Sequence, residues 1–331
     1  DKGHLEAAIE SYTQAFTIKP DYAQAHANQS YAYLFKRDFT KGWAQYEWRW
    51  KTDDYCKAFI KSNKPIWHPS SEQRVLLWAE QGIGDEVMFA SFILELYAVT
   101  SKLIVQLDKR LIPLFYRSFP KDIDFRSAND HVPENEYDAN IAMGSLAQHF
   151  RPTVESFKAT SKGWLSADKE KVKDLRTSLL SDGVERLVGI SWDSSDKKTG
   201  ARKKTIPLNQ LAQSLSSPAV KLVNLQYGDV SDEIKNLKTS FDIEILQVSH
   251  VDKKNDLDSL AALIEACDEV VSIANVTIHL AGALGKNSRV LLPSSPNWRW
   301  GQTNMKGDWY DSVKILRKRK TFDWKTSLMH S

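Results

Sequence analysis

Past the prolines at 65 and 69 the chain alternates, twice over, between short apolar runs and longer stretches with helical spacing, and few folds accept that alternation. In the first half, strand patterns fall at 75–79, 103–107, 123–126 and 138–142, and helix patterns at 85–99 and 109–119. The second half opens after Trp164, with strand patterns at 187–192, 220–225, 243–246, 269–273 and 289–292 and helices near 208–215, 231–239, 256–267 and 277–284. Strands interleaved with helices predict an α/β fold of parallel sheets covered by helices. Two such domains in tandem place ligands at the carboxyl ends of their strands, so the chemistry is expected between the halves.

At 331 residues the chain is long enough for two or three cores. A net charge of +3 is too small for a dedicated nucleic-acid or membrane-surface binder, so any electrostatic site is local. Cys267 lies in an apolar helical pattern and Cys56 is the only other cysteine, which fits a reducing compartment. The longest apolar-rich stretch, 87–99, is broken by Glu95 and is too short to span a bilayer, and no basic-then-apolar leader is present. These features predict a cytoplasmic location. The chain starts at Asp1 without methionine, which reads as partway through a repeat, and it is expected to be part of something longer.

That repeat is a 34-residue self-similarity, in which Ala8 and Tyr12 recur as Gly42 and Tyr46. Its period is that of tetratricopeptide repeats, with small residues letting two helices approach and tyrosines filling the groove. One and a half repeats cannot stand alone. Trp43, Tyr46 and Trp50 share a helical face, expected to be buried against the following domain rather than to form a ligand-binding stripe.

Where the first strand breaks, Gln81-Gly-Ile-Gly-Asp-Glu86 opens a helix as a phosphate loop would, but Asp85 and Glu86 would repel a diphosphate. Neither the dinucleotide fingerprint nor the P-loop spacing is met. Asp85 at the top of a strand is a candidate general base, or else a helix cap. The turn from Ser272 to Gly285 contrasts with it: Asn275 is a good N-cap, Thr277 offers a hydroxyl, and no acid opens the helix, which leaves that end suited to an anion. His279, one turn on, is placed either to bond a phosphate or ribose or to pack as a satisfied core histidine.

Five basic residues between Asp196 and Lys204 follow the strand that ends at Ser191-Trp192. They read either as solvated surface or, through Lys203 and Lys204, as diphosphate ligands. Trp298, Arg299, Trp300, Trp309 and Tyr310 gather aromatics after the last strand, for stacking on sugar or base, for pairing of Arg299 with phosphate, or for interdomain packing. No metal site is expected: Asp122-Ile-Asp124 precedes a strand, Asp256-Leu-Asp258 opens a helix, and the histidines lack ligand spacing.

Taken together, Ala79-Glu-Gln-Gly-Ile-Gly-Asp-Glu86, Gly189-Ile-Ser-Trp192, Leu225-Gln-Tyr-Gly-Asp229, His279-Leu-Ala-Gly-Ala-Leu-Gly285, Trp298-Arg-Trp300 and Trp309-Tyr310 resemble tetratricopeptide-repeat proteins with a C-terminal glycosyltransferase-like domain, related to glycosyltransferase family 9, the heptosyltransferases. The resemblance covers nearly the whole chain. It implies a GT-B architecture: repeat helices over 1–60, a Rossmann-like acceptor domain over 61–164 and a Rossmann-like nucleotide-sugar domain over 165–331. It also implies inverting, metal-independent transfer. Asp85 matches the family's proposed base and His279 its donor-side histidine. The donor side further collects Ser191, Trp192, Lys203, Lys204, Gln226, Asn275, Val276 and Thr277, and the acceptor or sugar side Gln81, Gly82, Gly84, Trp298 and Arg299. One departure stands out: many relatives carry Asp-Thr where this chain has Ala274-Asn275.

The expected function is therefore transfer of a sugar from a nucleotide sugar to an acceptor hydroxyl, on a protein recruited by the repeats, with no cofactor, no nucleic acid and no membrane span. The alternative is a catalytically inactive nucleotide-sugar-binding or scaffold protein whose repeats engage a partner.

Overall fold

The computed structural model describes residues 4–57, 59–69, 72–157, 162–180, 186–194, 205–302 and 306–318. Its helices are α1 (Leu5–Ile18), α2 (Ala23–Phe35), α3 (Phe39–Tyr46), α4 (Ile83–Phe89), α5 (Ile93–Tyr97), α6 (Ile112–Ser118), α7 (Ala147–Phe150), α8 (Lys169–Leu179), α9 (Leu208–Leu215), α10 (Ser231–Phe241), α11 (Leu257–Ala266) and α12 (Val276–Ala283). The strands are β1 (Arg74–Trp78), β2 (Lys102–Leu107), β3 (Asp124–Ser127), β4 (Ala139–Ala142), β5 (Arg186–Ser191), β6 (Val220–Asn224), β7 (Ile245–Leu246), β8 (Glu269–Ile273), β9 (Ser288–Leu292) and β10 (Val313–Arg317).

The strands form two sheets, in the orders β3-β2-β1-β4 and β10-β9-β8-β5-β6-β7. Every pairing within them is parallel. Helices cover both faces, so the central strands are apolar on both sides: four of the five residues of β1 and all of β8 are buried. Two compact units result. One comprises Asp1–Ile112, Phe119–Ala159 and Ser295–Asn304; the other comprises Pro113–Ser118, Thr160–Ser294 and Met305–Ser331.

The first unit includes the N-terminal helices. Gly42 lets α3 lie against α2, since a methyl group there would come within 2.5 Å of Leu34 Cδ2. Trp43 and Tyr46 are buried, their rings 5.6 and 6.2 Å from that of Trp298, and Trp43 Nε1 donates to the Arg151 carbonyl at 2.7 Å. Edge-to-face pairs of this kind contribute roughly 0.5–1.5 kcal/mol each beyond their buried area. Trp50 departs from the expected face. The α-helix stops at Tyr46 and a 3₁₀ turn, Glu47–Lys51, swings Trp50 onto Phe59 and Trp78 instead.

Other differences from the sequence reading have physical causes. The helix expected over 85–99 is broken by a 3₁₀ turn at Ala90–Phe92, because three residues per turn bring Phe89 and Phe92 onto one buried line. Helix α8 escaped notice because only Leu175 and Leu179 of its eleven residues are buried. Strand β10 follows the aromatic stretch and carries no element in the sequence reading, yet Val313 to Arg317 pairs in register with β9. Cys267 ends α11 rather than lying inside it, and burial pushes its thiol up to about 12. Among the described residues, no helix is long and apolar enough to cross a membrane.

Candidate active site

In each sheet, one pair of adjacent strands leads its chain away in opposite directions, and ligands of open α/β sheets bind at the carboxyl ends of such a pair. In the first unit the pair is β1 and β4, in the second β5 and β8. Nearly all of the chemistry-bearing residues singled out above sit at or near these two places.

At the first place, β1 runs out into Ala79 and Glu80, then Gln81 takes a left-handed backbone with φ of 65°, and α4 begins after Gly82. Gly82 is the N-cap and is exposed, and a methyl group added to it would meet nothing within 4 Å. Gly84 lies in the first turn of α4. The cap alternative for Asp85 does not hold, because its carboxylate faces Arg299 instead of the helix amides. Arg299 Nε donates to Asp85 Oδ1 at 2.6 Å, its Nη2 also pairs with that oxygen, and Nη2 donates to Gln81 Oε1 at 3.1 Å. Burial works against the charge on Arg299, but the Asp85 carboxylate outweighs it and holds the guanidinium above its ordinary range. Trp298 lies beneath Arg299, with the guanidinium carbon 4.7 Å from its ring, and packs on Trp43 and Tyr46. Trp298 is buried, and these ring contacts lie within the first unit.

A group the sequence reading missed lies directly under this turn. Arg49 is fully buried and forks onto Glu80, Nε to Oε2 at 2.8 Å and Nη2 to Oε1 at 2.7 Å. Glu80 Oε1 also accepts from the Gly144 amide at 2.9 Å, which joins the ends of β1 and β4. Tyr46 Oη accepts from Gln81 Nε2 at 2.5 Å. The signal was available: a glutamate directly after a buried strand needs a partner. Next to Asp85, the buried Glu86 accepts from the Asp108 amide at 2.8 Å, and burial pushes its carboxyl up to about 7.

At the second place, Ser191, Trp192, Gln226 and Asn275 form one buried network. Gln226 Oε1 accepts from Ser191 Oγ at 2.9 Å and from the Trp192 and Asp193 amides at 3.0 and 2.9 Å, fixing the carboxyl end of β5. Asn275 Oδ1 caps α12 by accepting from the Thr277 amide at 3.1 Å, and accepts from Ser272 Oγ at 3.0 Å. Its Nδ2 donates to Ser191 Oγ at 2.7 Å and to the Asp193 carbonyl at 3.3 Å. All four hydrogen bonds open to an amide side chain are thus made inside the protein. Trp192 sits in the core and donates from Nε1 to Glu233 at 2.7 Å. Thr277 is the exception: its hydroxyl is buried at the first turn of α12 and has no partner among the described residues. Val276, beside it, is half-buried. His279 Nδ1 is 2.7 Å from Tyr310 Oη, and Trp164 stacks on the same tyrosine. Lys203 and Lys204 lie outside the described residues.

The aspartate pairs weighed as metal ligands have other work. Asp124 pairs with Arg126, Asp122 accepts from Tyr97 Oη, Asp256 caps α11, and Asp258 pairs with Arg117 and Lys171.

No family model matches the chain. It is 30% identical to Protein FlbA of Caulobacter vibrioides over 99% of its own length, and it spans 58% of that protein. Among solved structures it resembles a glycosyl transferase family 9 protein from Veillonella parvula, with a TM-score of 0.53, 13% identity, and coverage of 76% of this chain and 87% of the other. It also resembles the ADP-heptose LPS heptosyltransferase II of E. coli, with a TM-score of 0.51, 14% identity, and coverage of 77% and 94%.

Glu86 yields a prediction that does not depend on activity. Its folded-state carboxyl titrates above the usual 4.5, so the folded protein holds a proton that the unfolded chain releases. This contribution is complete below about pH 4.5, is lost as pH rises toward about 7, and amounts to about 3 kcal/mol across that window. Comparing denaturant melts of wild type and Glu86→Gln from pH 4 to 8 checks it: the stability difference between the two should change by that amount, in favour of Glu86→Gln at high pH.

Both places belong to an α/β fold with parallel sheets, which this chain shares with those two proteins.

Proposed function

We propose that the chain is the transferase portion of an inverting glycosyltransferase that takes a sugar from a nucleoside diphosphate and needs no divalent metal. The observation that carries this reading is the buried Thr277 hydroxyl at the N-terminus of α12, which has no partner among the described residues. It stands where first-turn amides lack helical partners and where the helix dipole favours an anion. A buried hydroxyl without a partner costs roughly 1–3 kcal/mol, which a phosphate oxygen would recover. Asn275, its side chain engaged within the protein, holds the helix end in place, and the likeness to an ADP-heptose transferase supports a nucleoside diphosphate as the anion. Lys203 and Lys204 are proposed to stabilise the departing diphosphate by offsetting its charge, and His279, held by Tyr310, to line the donor side.

Asp85 is proposed as the base that takes the proton from the acceptor hydroxyl, with Gln81, Gly82, Gly84 and Arg299 on the acceptor or sugar side. The helices α1 to α3 are proposed to be tetratricopeptide-type and to recruit a protein acceptor. The second reading, a nucleotide-sugar-binding module without catalysis, is favoured by one observation: Arg299 is already paired with Asp85, and a paired carboxylate is a weaker base.

Thr277→Val keeps the shape and removes the hydroxyl. The melting temperature should stay level or rise, while ADP or UDP binding, followed by calorimetric titration, should weaken roughly 5–30-fold. Unchanged affinity for every nucleoside diphosphate tried would sink the donor assignment.

Asp85→Asn should lower transfer by roughly two to four orders of magnitude with donor affinity retained, and EDTA should leave wild-type turnover unchanged. Saturable nucleotide-sugar binding with no turnover in either protein would select the non-catalytic reading.

The protein acceptor is tested on the helical segment, at half-buried Asn28 and exposed Lys36. Asn28→Ala with Lys36→Glu should raise the KM for a protein acceptor several-fold while sparing donor hydrolysis, because an extended helical surface recognises peptide and not nucleotide. Equal kinetics with a small saccharide would leave these helices a purely structural element.

A further inference from the structure

Arg49 makes five hydrogen bonds, one for each N–H that a guanidinium carries. Nε donates to Glu80 Oε2 at 2.8 Å; Nη1 to the Tyr46 carbonyl at 3.0 Å and Glu47 Oε1 at 2.7 Å; Nη2 to Glu80 Oε1 at 2.7 Å and Ser145 Oγ at 2.8 Å. Its plane is held between the rings of Tyr46 and Trp50, each centroid 4.1 Å from the guanidinium carbon. Burial disfavours this charge, and the carboxylates of Glu80 and then Glu47 outweigh the penalty and leave the group above its ordinary range. Glu80, fixed from both sides by Arg49 and Gly144, immediately precedes Gln81.

Gln81 occupies a left-handed backbone that costs a non-glycine residue of order 1 kcal/mol and persists only where its surroundings dictate it. Both ends of its side chain are assigned: Nε2 donates to Tyr46 Oη at 2.5 Å, and Oε1 accepts from Arg299 Nη2 at 3.1 Å. Burial drives the Tyr46 phenol well above its ordinary range, so it stays a neutral hydroxyl at any working pH. Arg299 in turn holds the Asp85 carboxylate. A continuous chain of contacts therefore runs from Arg49 and Tyr46 through Glu80 and Gln81 to Arg299 and Asp85.

We infer that Tyr46 and Arg49, residues of the helical segment, are positioning residues for the Asp85 turn: they fix Gln81 in its left-handed conformation and, through it, set where Arg299 holds the carboxylate. The helical segment is then part of the machinery of the site as well as its covering. This deepens the proposed role of Asp85 and rests on it for its consequence in turnover, but the positioning itself is measurable without activity.

Hydrogen exchange on the full chain, followed by mass spectrometry, reads the turn directly through the Asp85 and Glu86 amides, which donate to the Gly82 carbonyl at 2.8 and 3.1 Å. Tyr46→Phe removes one hydroxyl and keeps the ring, and Arg49→Lys keeps the charge and loses the fork. In both, exchange over 81–86 should rise about tenfold or more, with α2 and β1 close to wild type. Phe39→Leu, in the same helical segment, is the control for simple destabilisation, and it should speed exchange across the segment without singling out the turn. With ADP-heptose as probe, Tyr46→Phe should lower kcat about tenfold and leave KM within twofold, since the residue touches no substrate. Exchange over 81–86 that stays at the wild-type rate in both variants, or rises no more than in Phe39→Leu, overturns the inference. If the turn loosens as expected while wild type does not consume ADP-heptose, the positioning role stands and the reading of this site as a catalyst of that reaction is what fails.

Discussion

A guanidinium with no exposure to water, paired with a carboxylate that has none either, sits where the helical segment meets the end of β1. A buried pair of this kind contributes little net stability, since desolvation of both ions offsets their attraction, but removal of either partner strands the other at a cost of about 3–5 kcal/mol. The pair therefore acts as a geometric constraint more than as a source of stability. It admits one arrangement of Tyr46, Glu47, Glu80, Gly144 and Ser145, and hence one relative placement of α3, the end of β1 and the end of β4. Gly144 shows how tight this is, because a methyl group there would approach Glu80 Oε1 to 2.5 Å.

The aromatic residues around this pair follow from it. Tyr46 and Trp50 flank the guanidinium, and Trp298 packs on Tyr46 and Trp43. A chain rich in tryptophan suggests platforms for sugar or base, and the density of rings between 296 and 310 invites that reading. Here most of the rings are buried against protein. The remaining chemistry of the turn is carried by Arg299, Gln81 and Asp85, with Arg299 bonded to both of the others.

Parallel sheets were legible because fully buried strands leave uninterrupted apolar runs, and so were the two turns after β1 and β8, where glycine, asparagine and acids punctuate those runs. Helix α8 and strand β10 were not, since one buries two side chains and the other follows directly on an aromatic loop. The role of Asp85 was visible only in part. Its carboxylate could be read from the sequence, but its partner stands 214 positions away, and no local pattern connects residue 85 to residue 299. The same holds for Arg49 and Glu80, 31 positions apart, which the fold places together where no water reaches.

The two strand-end sites differ in electrostatic character, and the difference bears on the Ala274-Asn275 departure. At the first site acidic residues open α4, and a cation, Arg299, is needed to hold the carboxylate of Asp85. At the second, the opening of α12 carries no acid and is held by neutral amides and hydroxyls: Gln226, Ser191, Ser272 and Asn275. With Ala274 rather than an aspartate there, that helix end carries no negative charge and so none of the repulsion that an anion would meet. Asn275 keeps the capping function that an aspartate or threonine can also perform. The helix end is thus left uncharged in its side chains and organised by a network in which, among the described residues, only the Thr277 hydroxyl lacks a partner.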